Sequence, residues 1–530
     1  MTVIAAGVSS QPSGHAAAPL PAPRPDQAWL AAIAIVPILA TVYQTLVLTD
    51  VTDDVIRTGI DAEHYSMIWT SVCWGITVIY GVFAGIWAMA RFGARNTLLV
   101  GLVWFAFGNL LCGAATDVAT LSLAKLVEGV GKGMVIVICR SELYRQFDRM
   151  VVVAIGIYGV IAYATRPTTP LLTAIVNDAL SWRWIFWVNV PLALLAIPLV
   201  NRFVKPDRPP KPMPLRIDWI GVTLFVAWIV CLTFIFGWYR KWGGWSSNAF
   251  TATAVLATLL PAAILAWVGS GLDPSEHFQR MFRVRIYVLA MCVRMLMLLQ
   301  LLAVLTLMAN YCLELRDYPR PVAGWVLAPA TLTMTVSTFL TTWFHRRSLR
   351  HLWLLIGVLG CAACLWWMSS ADNFTSKEQV ALMIGCWGLF VGLFPPAFLQ
   401  DEVEGLDRRD SLYGGAVAVV FLIVPIVVVP TMTSTIVSAW ADRAADAQRM
   451  NLRENSPEVQ EASARIADYF RQRGVEGPEL SQMTSTILGS QVKSDAVAHG
   501  IRSGLRFLSL FVGSFGMLVT MLLARSRRSA

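Results

Sequence analysis

The feature that most constrains the fold of this chain is a series of long apolar segments separated by short polar connections. A helix of about 20 apolar residues crosses the hydrocarbon core of a bilayer. We predict fourteen such helices, at 28–48, 67–89, 96–115, 119–139, 151–176, 184–201, 218–237, 249–268, 286–311, 322–343, 352–369, 379–400, 413–440 and 504–524. Only 14% of the residues are charged, whereas soluble domains carry about 25%. The pattern predicts an all-α polytopic membrane protein.

The distribution of basic residues predicts which ends of the helices face the cytoplasm. The formal net charge is +9, and the lysines and arginines are concentrated in alternate short connections. Arg91, Arg95, Arg140 and Arg145 belong to this basic set, and the opposite connections hold few cations. Because cytoplasmic loops are enriched in lysine and arginine, the basic set and both termini are predicted to be cytoplasmic. Charge placed in this way serves orientation in a bilayer, so no nucleic-acid partner is predicted.

Three polar stretches interrupt the apolar pattern. Residues 1–27 are rich in Ala, Pro, Ser and Gly and are predicted to form a disordered cytoplasmic tail. Residues 202–217 form a proline-rich basic linker, which suggests a junction between two halves. Residues 441–503 form a long segment on the non-cytoplasmic side, within which 457–472 has apolar residues at helical spacing. The long segment fits either a docking surface for a partner or a solvated loop.

One predicted span, 119–139, carries charges in its middle. Lys125, Glu128 and Lys132 are spaced at i, i+3 and i+7, so a helix places them on one stripe. A charge near the bilayer centre costs about 2.5–3.5 kcal/mol. If this segment did not cross the membrane, every later loop would change sides and the agreement with the loop charges would be lost. We therefore predict that it spans, with its charges facing a protein or water interior.

The sequence carries no pattern typical of catalysis by a soluble enzyme. A phosphate-binding G-x-x-x-x-G-K-[ST] loop, a metal-binding H-E-x-x-H helix and a G-x-S-x-G elbow are all missing. Most of the nine cysteines lie within apolar runs, and the C-x-x-C pair Cys361 and Cys364 is predicted to pack inside a helix. We therefore predict no enzymatic activity, no cofactor and no metal site, and expect an ion gradient to supply any energy.

A longer motif suggests a family. Residues 181–191 read SWRWIFWVNVP, which resembles the W-R-W-I-F-x-x-N-V-P signature of fourteen-span drug:H⁺ antiporters in the major facilitator superfamily. The stretch that begins at Asp218, the MFRVR segment at 281–285 and the AGW segment at 323–325 also resemble this family. Segment 441–503 is similar to the periplasmic loop of family members that join a membrane fusion protein and an outer-membrane channel.

The resemblance implies an architecture and an activity. The implied architecture is a major facilitator fold with a six-helix bundle at 28–201, an inserted helix pair at 218–268, a second six-helix bundle at 286–524 and a short cytoplasmic tail at 525–530. The implied activity is proton-coupled efflux of amphipathic small molecules from a bacterial inner membrane, with a periplasmic membrane fusion protein and an outer-membrane channel as partners.

The chain also departs from the family's motifs. The first-span L-D-x-T motif is replaced by VYQT at 42–45, so its aspartate is missing. After the second span, Arg91, Gly93 and Arg95 of the conformational motif remain without the acidic partner. In the fifth span Pro170 remains, but the glycines of the antiport motif are replaced.

Five ionisable residues deep in predicted spans are the candidates for a proton-coupling or substrate cavity. They are Lys125, Glu128 and Lys132, with Arg166 in the fifth span and Arg294 in the ninth. In one interpretation Glu128 couples transport to the proton gradient, the cations attract anionic substrates, and Lys125 takes the place of the family's functional arginine. In the other, Lys125, Glu128 and Lys132 form a fixed ion network that holds helices together. Glu128 is the only carboxylate expected deep in the spans.

Several alternatives stay open at this point. Asp401, Glu402 and Glu404, which follow the span at 379–400, fit either ion pairs that latch one state of a transport cycle or a mixed-charge loop. The fold also suits a dedicated exporter of a metabolite or siderophore, an uptake permease without proton coupling, or a receptor on a transporter scaffold.

Overall fold

The computed structural model describes residues 25–51, 53–147, 150–164, 181–205, 215–270, 277–344, 350–372, 374–404, 406, 408–451, 457–472 and 478–528. Within these ranges the regular elements are all helical, which confirms the predicted all-α class.

The described residues of the first half form eight helices. They are α1 (Pro25–Val51), α2 (Asp53–Gly59), α3 (Ile68–Phe92), α4 (Ala94–Ala114), α5 (Val118–Gln146), α6 (Val151–Gly159), α7 (Trp184–Trp187) and α8 (Asn189–Phe203). A 3-10 turn at His64–Met67 precedes α3, and a π-helical turn at Val160–Ala164 continues α6.

The inserted pair and the second half follow. The inserted segment consists of α9 (Trp219–Gly237), α10 (Tyr239–Trp242), a 3-10 turn (Gly244–Ser246) and α11 (Asn248–Gly269). The second half consists of α12 (His277–Arg283), α13 (Arg285–Asn310) with a π-helical turn (Tyr311–Leu315), α14 (Arg320–Leu327), α15 (Pro329–Trp343), α16 (Arg350–Met368), α17 (Lys377–Val391), α18 (Phe394–Glu404), α19 (Arg408–Asn451), α20 (Pro457–Arg471) and α21 (Pro478–Arg528).

The described residues contain 12 helical stretches that are long and apolar enough to cross a membrane. Two of the fourteen predicted spans are outside that set. Helix α5 has 29 residues but is charged in its centre, and the apolar part of the fifth predicted span is described only as Val151–Tyr163. The fold matches the prediction, and the count of fourteen remains a prediction.

Helix α5 lies at the centre of the first half, packed between α3 and α4. It begins at Val118 because Asp117 caps it, accepting a hydrogen bond from the Thr120 backbone amide at 2.9 Å. Close approach depends on glycines, since a side chain at Gly108 of α4 would overlap the backbone of Glu128. Small residues therefore hold α5 within reach of both neighbours.

In the second half, α13 packs against α18, α19 and α21. The predicted span 379–400 is broken at Gly392, between α17 and α18. The freed carbonyl of Gly392 accepts a hydrogen bond from the Thr338 hydroxyl of α15 at 3.0 Å, which satisfies a backbone group that the break would otherwise expose. Beyond the break, α18 continues to Glu404, past the predicted end of the span.

The two halves meet where α3 packs against α19 and where α6 packs against α15 and α18. Helix α9 contacts both α3 and α19, so the inserted pair touches both halves. At its end, Arg240 pairs with Asp442 of the second half, and Lys241 lies 3.3 Å from Glu63 of the first. The inserted pair thus bridges the halves along one side.

Two helices of the second half are longer than a bilayer needs. Helix α19 has 44 residues and α21 has 51, which corresponds to about 66 and 77 Å at 1.5 Å per residue. A hydrocarbon core is about 30 Å thick. Helix α20, which corresponds to the amphipathic helix predicted at 457–472, packs against α21. Much of the predicted segment 441–503 is therefore helical rather than loop.

Candidate functional site

The stripe of charges predicted on α5 forms a compact buried group, here termed the lysine–glutamate cluster (Lys125, Glu128 and Lys132). The Nζ atom of Lys125 lies 2.9 Å from Oε2 of Glu128, and the Nζ atom of Lys132 lies 2.5 Å from Oε1. The side chains of Glu128 and Lys132 are 0% exposed. Glu128 thus pairs at both i−3 and i+4, and the cluster keeps one positive charge in excess.

Aromatic rings enclose this cluster. Lys125 stands over the ring of Phe186 at 4.7 Å, and Lys132 stands over Trp74 at 5.6 Å and Phe105 at 5.9 Å. Ring faces attract cations, most strongly where water is excluded. These rings belong to α3, α4 and α7, so the cluster faces the protein interior of the first half.

A second buried group, here termed the arginine–glutamate cluster (Arg140, Arg294 and Glu402), joins the two halves. Arg140 of α5 donates to Oε2 of Glu402 of α18 at 3.0 Å. Arg294 of α13 donates from Nε to Oε1 of Glu402 at 2.7 Å, and its Nη2 contacts the same oxygen. All three residues are buried. One carboxylate therefore neutralises two guanidinium groups only in part.

Tyrosines surround the arginine–glutamate cluster on the side of the first half. The guanidinium of Arg140 lies 4.9 Å from the ring centre of Tyr144 and 5.5 Å from that of Tyr158. The Tyr158 hydroxyl is 2.8 Å from the hydroxyl of Tyr43. The buried hydroxyls of Tyr144 and Tyr163 have no hydrogen-bond partner among the described residues. The interface thus offers phenol groups beside an excess positive charge.

The five residues predicted to share one cavity do not all come together. Lys125, Glu128 and Lys132 are adjacent as predicted, but Arg294 belongs to the arginine–glutamate cluster. Arg166 lies outside the described residues. The roles of these residues in proton coupling or substrate contact remain predictions.

Arg91, Gly93 and Arg95 of the predicted conformational motif lie at the junction of α3 and α4. Gly93 joins α3 to α4 with a φ of 85°, a left-handed value that favours glycine. Arg91 stacks over Trp87 at 5.8 Å, and Arg95 donates to the Asn201 side chain at 2.7 Å. These contacts stay within the first half. Pro170, which belongs to the antiport motif of the fifth span, lies outside the described residues.

Glu128 is not the only carboxylate buried in a membrane-crossing stretch, although Glu402 lies at the end of its stretch and not deep within it. The predicted span ended at 400, but the membrane-crossing stretch continues to Val403 and buries Glu402. Arg140, which sequence reasoning placed in a loop, is buried because α5 continues to Gln146. In the sequence, the two acidic residues Asp401 and Glu402 directly follow an apolar run, and this pattern could have indicated a buried carboxylate. Of the two interpretations of that acidic stretch, the structure favours ion pairs.

Comparison with known proteins identifies the family. The sequence profile of the Major Facilitator Superfamily matches residues 28–430. Multidrug resistance protein 3 of Bacillus subtilis (strain 168) is 24% identical over 330 residues, which cover 61% of this chain and 62% of the Bacillus protein. The alignment therefore spans less than two thirds of that relative's length.

Two solved structures share the fold. One is the human organic anion transporter MFSD10 (TETRAN), with a TM-score of 0.55 and 10% identity, covering 94% of this chain and all of the transporter chain. The other is a bacterial homologue of the human drug peptide transporters PepT1 and PepT2, with a TM-score of 0.57 and 14% identity, covering 95% of this chain and 99% of the other. At these identities the likeness concerns the fold alone. The chain is a multi-pass membrane protein that belongs to the Major Facilitator Superfamily, whose members are transporters and not enzymes.

Proposed function

We propose that this protein is a proton-coupled secondary transporter that exports amphipathic, acidic or aromatic small molecules. Its two halves rock about a central site, so that access alternates between the two sides of the membrane. The observation that carries the proposal is the buried contact between Arg140 and Glu402, which joins the halves at 3.0 Å.

The position of this contact supports alternating access. A buried ion pair between two rigid bodies holds one arrangement and is lost when they separate, so it acts as a latch. In the predicted orientation the latch lies toward the cytoplasmic ends of α5 and α18. The conformation described here is then the one closed on the cytoplasmic side.

Glu128 is the proposed proton-coupling carboxylate. It lies in the middle of α5 and is held by Lys125 and Lys132 on its own helix. The rings of Trp74, Phe105 and Phe186 on other helices face these two lysines, and the thiol of Cys112 lies nearby on α4. Protonation would break two ion pairs in this conformation. The proton is therefore taken up in the alternate conformation, after the side chain of one lysine has turned away from Glu128.

The excess of positive charge supports acidic substrates. Each of the two buried clusters contains two cations and one carboxylate, within low-dielectric surroundings. A positive potential raises the local concentration of anions. The tyrosine rings near Arg140 suit an aromatic body.

The long helices of the second half support an export assembly. Helices α19, α20 and α21 reach well beyond the bilayer on the side predicted to be periplasmic. In this proposal the protein is in a bacterial inner membrane with both termini cytoplasmic, and the projecting helices dock a membrane fusion protein that leads to an outer-membrane channel.

Transport in proteoliposomes under an imposed pH gradient tests the proposal. Wild-type protein should accumulate an aromatic acid when the gradient is present and lose this accumulation when a protonophore is added. Glu128→Gln should abolish accumulation, whereas Glu142→Gln, on the same helix, should retain it. Flux that does not depend on the pH gradient would contradict proton coupling. Unchanged gradient-driven transport in Glu128→Gln would show that Glu128 is not the coupling carboxylate.

A further inference from the structure

We propose that Arg140 binds the carboxylate of an acidic substrate, and that Glu402 occupies this site whenever the two halves are closed. The inference rests on the alternating access of the proposed function. It names Arg140 as the residue that recognises the substrate, and it states that the substrate and Glu402 compete for Arg140.

The two arginines around Glu402 make different numbers of hydrogen bonds. Arg294 donates from Nε and Nη2 to Glu402, and from Nη1 to the carbonyl of Ala418 at 2.9 Å. Arg140 gives Glu402 a hydrogen bond from Nη2, while its Nε has no hydrogen-bond partner among the described residues. Each of the three nitrogens of Arg294 thus has a partner, whereas Nε of Arg140 has none among the described residues.

This asymmetry determines what happens when the halves part. Arg294 and Glu402 belong to the same half, and Nε and Nη2 of Arg294 both contact Oε1 of Glu402. The two residues therefore remain together. Arg140 belongs to the other half and loses its counter-ion. An unpaired cation in a poorly hydrated interface is costly, and an anion that enters the opened space removes that cost.

The surroundings of Arg140 indicate the chemical class of this anion. A guanidinium presents a planar fork that matches the two oxygens of a carboxylate. The rings of Tyr144 and Tyr158 flank it, and the hydroxyl of Tyr144, which has no partner within the described part of the chain, is available to donate. Ring faces of this kind stack on an aromatic body. The site therefore fits a carboxylate attached to an aromatic ring.

Gly415 of α19 makes the closed latch possible. A Cβ atom at this position would stand 2.5 Å from Nη1 of Arg140, so a larger residue would displace the guanidinium. Arg140 is a flexible side chain that can move aside. Gly415→Ala therefore offers a way to weaken the contact with Glu402 while keeping every charge in place.

Equilibrium binding of 1-naphthoate and of its uncharged analogue 1-naphthamide to purified full-length protein tests this inference. Glu402→Gln and Gly415→Ala should each tighten naphthoate binding at least fivefold, because the internal competitor is removed or displaced. Arg140→Gln should weaken it at least tenfold. Arg145→Gln, an arginine on the same helix that pairs with Glu142, should bind as the wild type does. Naphthamide binding should be the same in all five proteins.

Arg140→Lys provides a second measurement that does not depend on the folding of Arg140→Gln. Lysine keeps the positive charge but lacks the planar guanidinium. The variant should therefore still prefer naphthoate to naphthamide, and it should bind naphthoate more weakly than the wild type does. The inference is overturned if Arg140→Gln or Arg140→Lys binds naphthoate as tightly as the wild type, if naphthamide shifts together with naphthoate, or if Glu402→Gln binds no naphthoate. Because no gradient is applied, these results are independent of proton coupling and of the direction of transport.

Discussion

The guanidinium of Arg140 donates a hydrogen bond to the carboxylate of Glu402 at 3.0 Å, although the two residues are 262 positions apart and lie in opposite halves. Separation of the halves must break this contact. The lysine–glutamate cluster lies within one helix and moves with its own half. In the proposed mechanism the two clusters therefore have different roles, because the contact between Arg140 and Glu402 joins the two halves and the lysine–glutamate cluster lies inside one of them.

Removal of Arg294 should destabilise the protein strongly. Arg294→Gln leaves Glu402 buried with one remaining partner, and breaking a buried ion pair in this way costs about 3–5 kcal/mol. Arg465→Gln is the control, because its pair with Glu461 is exposed and worth about 0–1 kcal/mol. Thermal unfolding in detergent, followed by tryptophan fluorescence, measures both. Equal losses in the two variants would contradict a structural role for the arginine–glutamate cluster.

Replacing the whole lysine–glutamate cluster distinguishes a role in protein stability from a role in proton coupling. The triple variant Lys125→Met, Glu128→Leu, Lys132→Met removes all three charges and keeps similar volumes. Well-packed apolar replacements of a buried ion network are often neutral or stabilising by about 1–4 kcal/mol. We expect an unfolding temperature at or above that of the wild type, together with loss of gradient-driven transport in proteoliposomes. Full transport by this variant would show that the cluster is only structural.

Much of the fold could be predicted because bilayer physics leaves few options. Long apolar runs have to be helices, and three charges at helical spacing on one of them have to share a face and pair. Glu128 therefore met Lys125 and Lys132 as predicted. Each of these inferences depends only on residues close in sequence.

The inter-half cluster could not be predicted in this way. Arg140 and Glu402 are brought together by the packing of two halves, which no local periodicity encodes. Both also lie near helix ends, where hydropathy places boundaries poorly, and errors of a few residues at 139 and 400 were enough to assign them to loops. The break at Gly392 had a local signal, because Pro396 lacks the N–H that would bond the Gly392 carbonyl, but the contact with Thr338 that satisfies this carbonyl comes from a different helix.

The close approach of α4 to α5 depends on Gly108. A Cβ atom at this position would overlap the backbone of Glu128, which cannot move aside as a flexible side chain does. Gly108→Ala should therefore cost about 1–3 kcal/mol, in the range of overpacking, as measured by thermal unfolding in detergent. Gly269→Ala is the matched control, since a Cβ atom there meets nothing within 4 Å. A Gly108→Ala protein as stable as the control would contradict the packing of α4 on α5.

Deletion of α20 distinguishes transport by this protein alone from export that requires a docked partner. A variant in which residues 457–471 are replaced by a short Gly-Ser linker should retain transport in proteoliposomes, because α20 packs on α21 outside the two bundles. Efflux of an aromatic acid from intact cells should fall at least tenfold if these helices dock a partner. Unchanged efflux from cells would argue against a partner at the projecting helices.

The most direct test of the latch is the distance between the two halves at the end where Arg140 and Glu402 lie. Spin labels at Phe92→Cys and Phe344→Cys, both exposed at helix ends, report this distance by pulsed electron paramagnetic resonance in a variant without the nine native cysteines. The wild-type protein should show a short and a long distance, and Glu402→Gln should shift the population toward the long one, whereas Glu142→Gln should not. A single distance that Glu402→Gln leaves unchanged would contradict the assignment of Arg140 and Glu402 as the contact that opens.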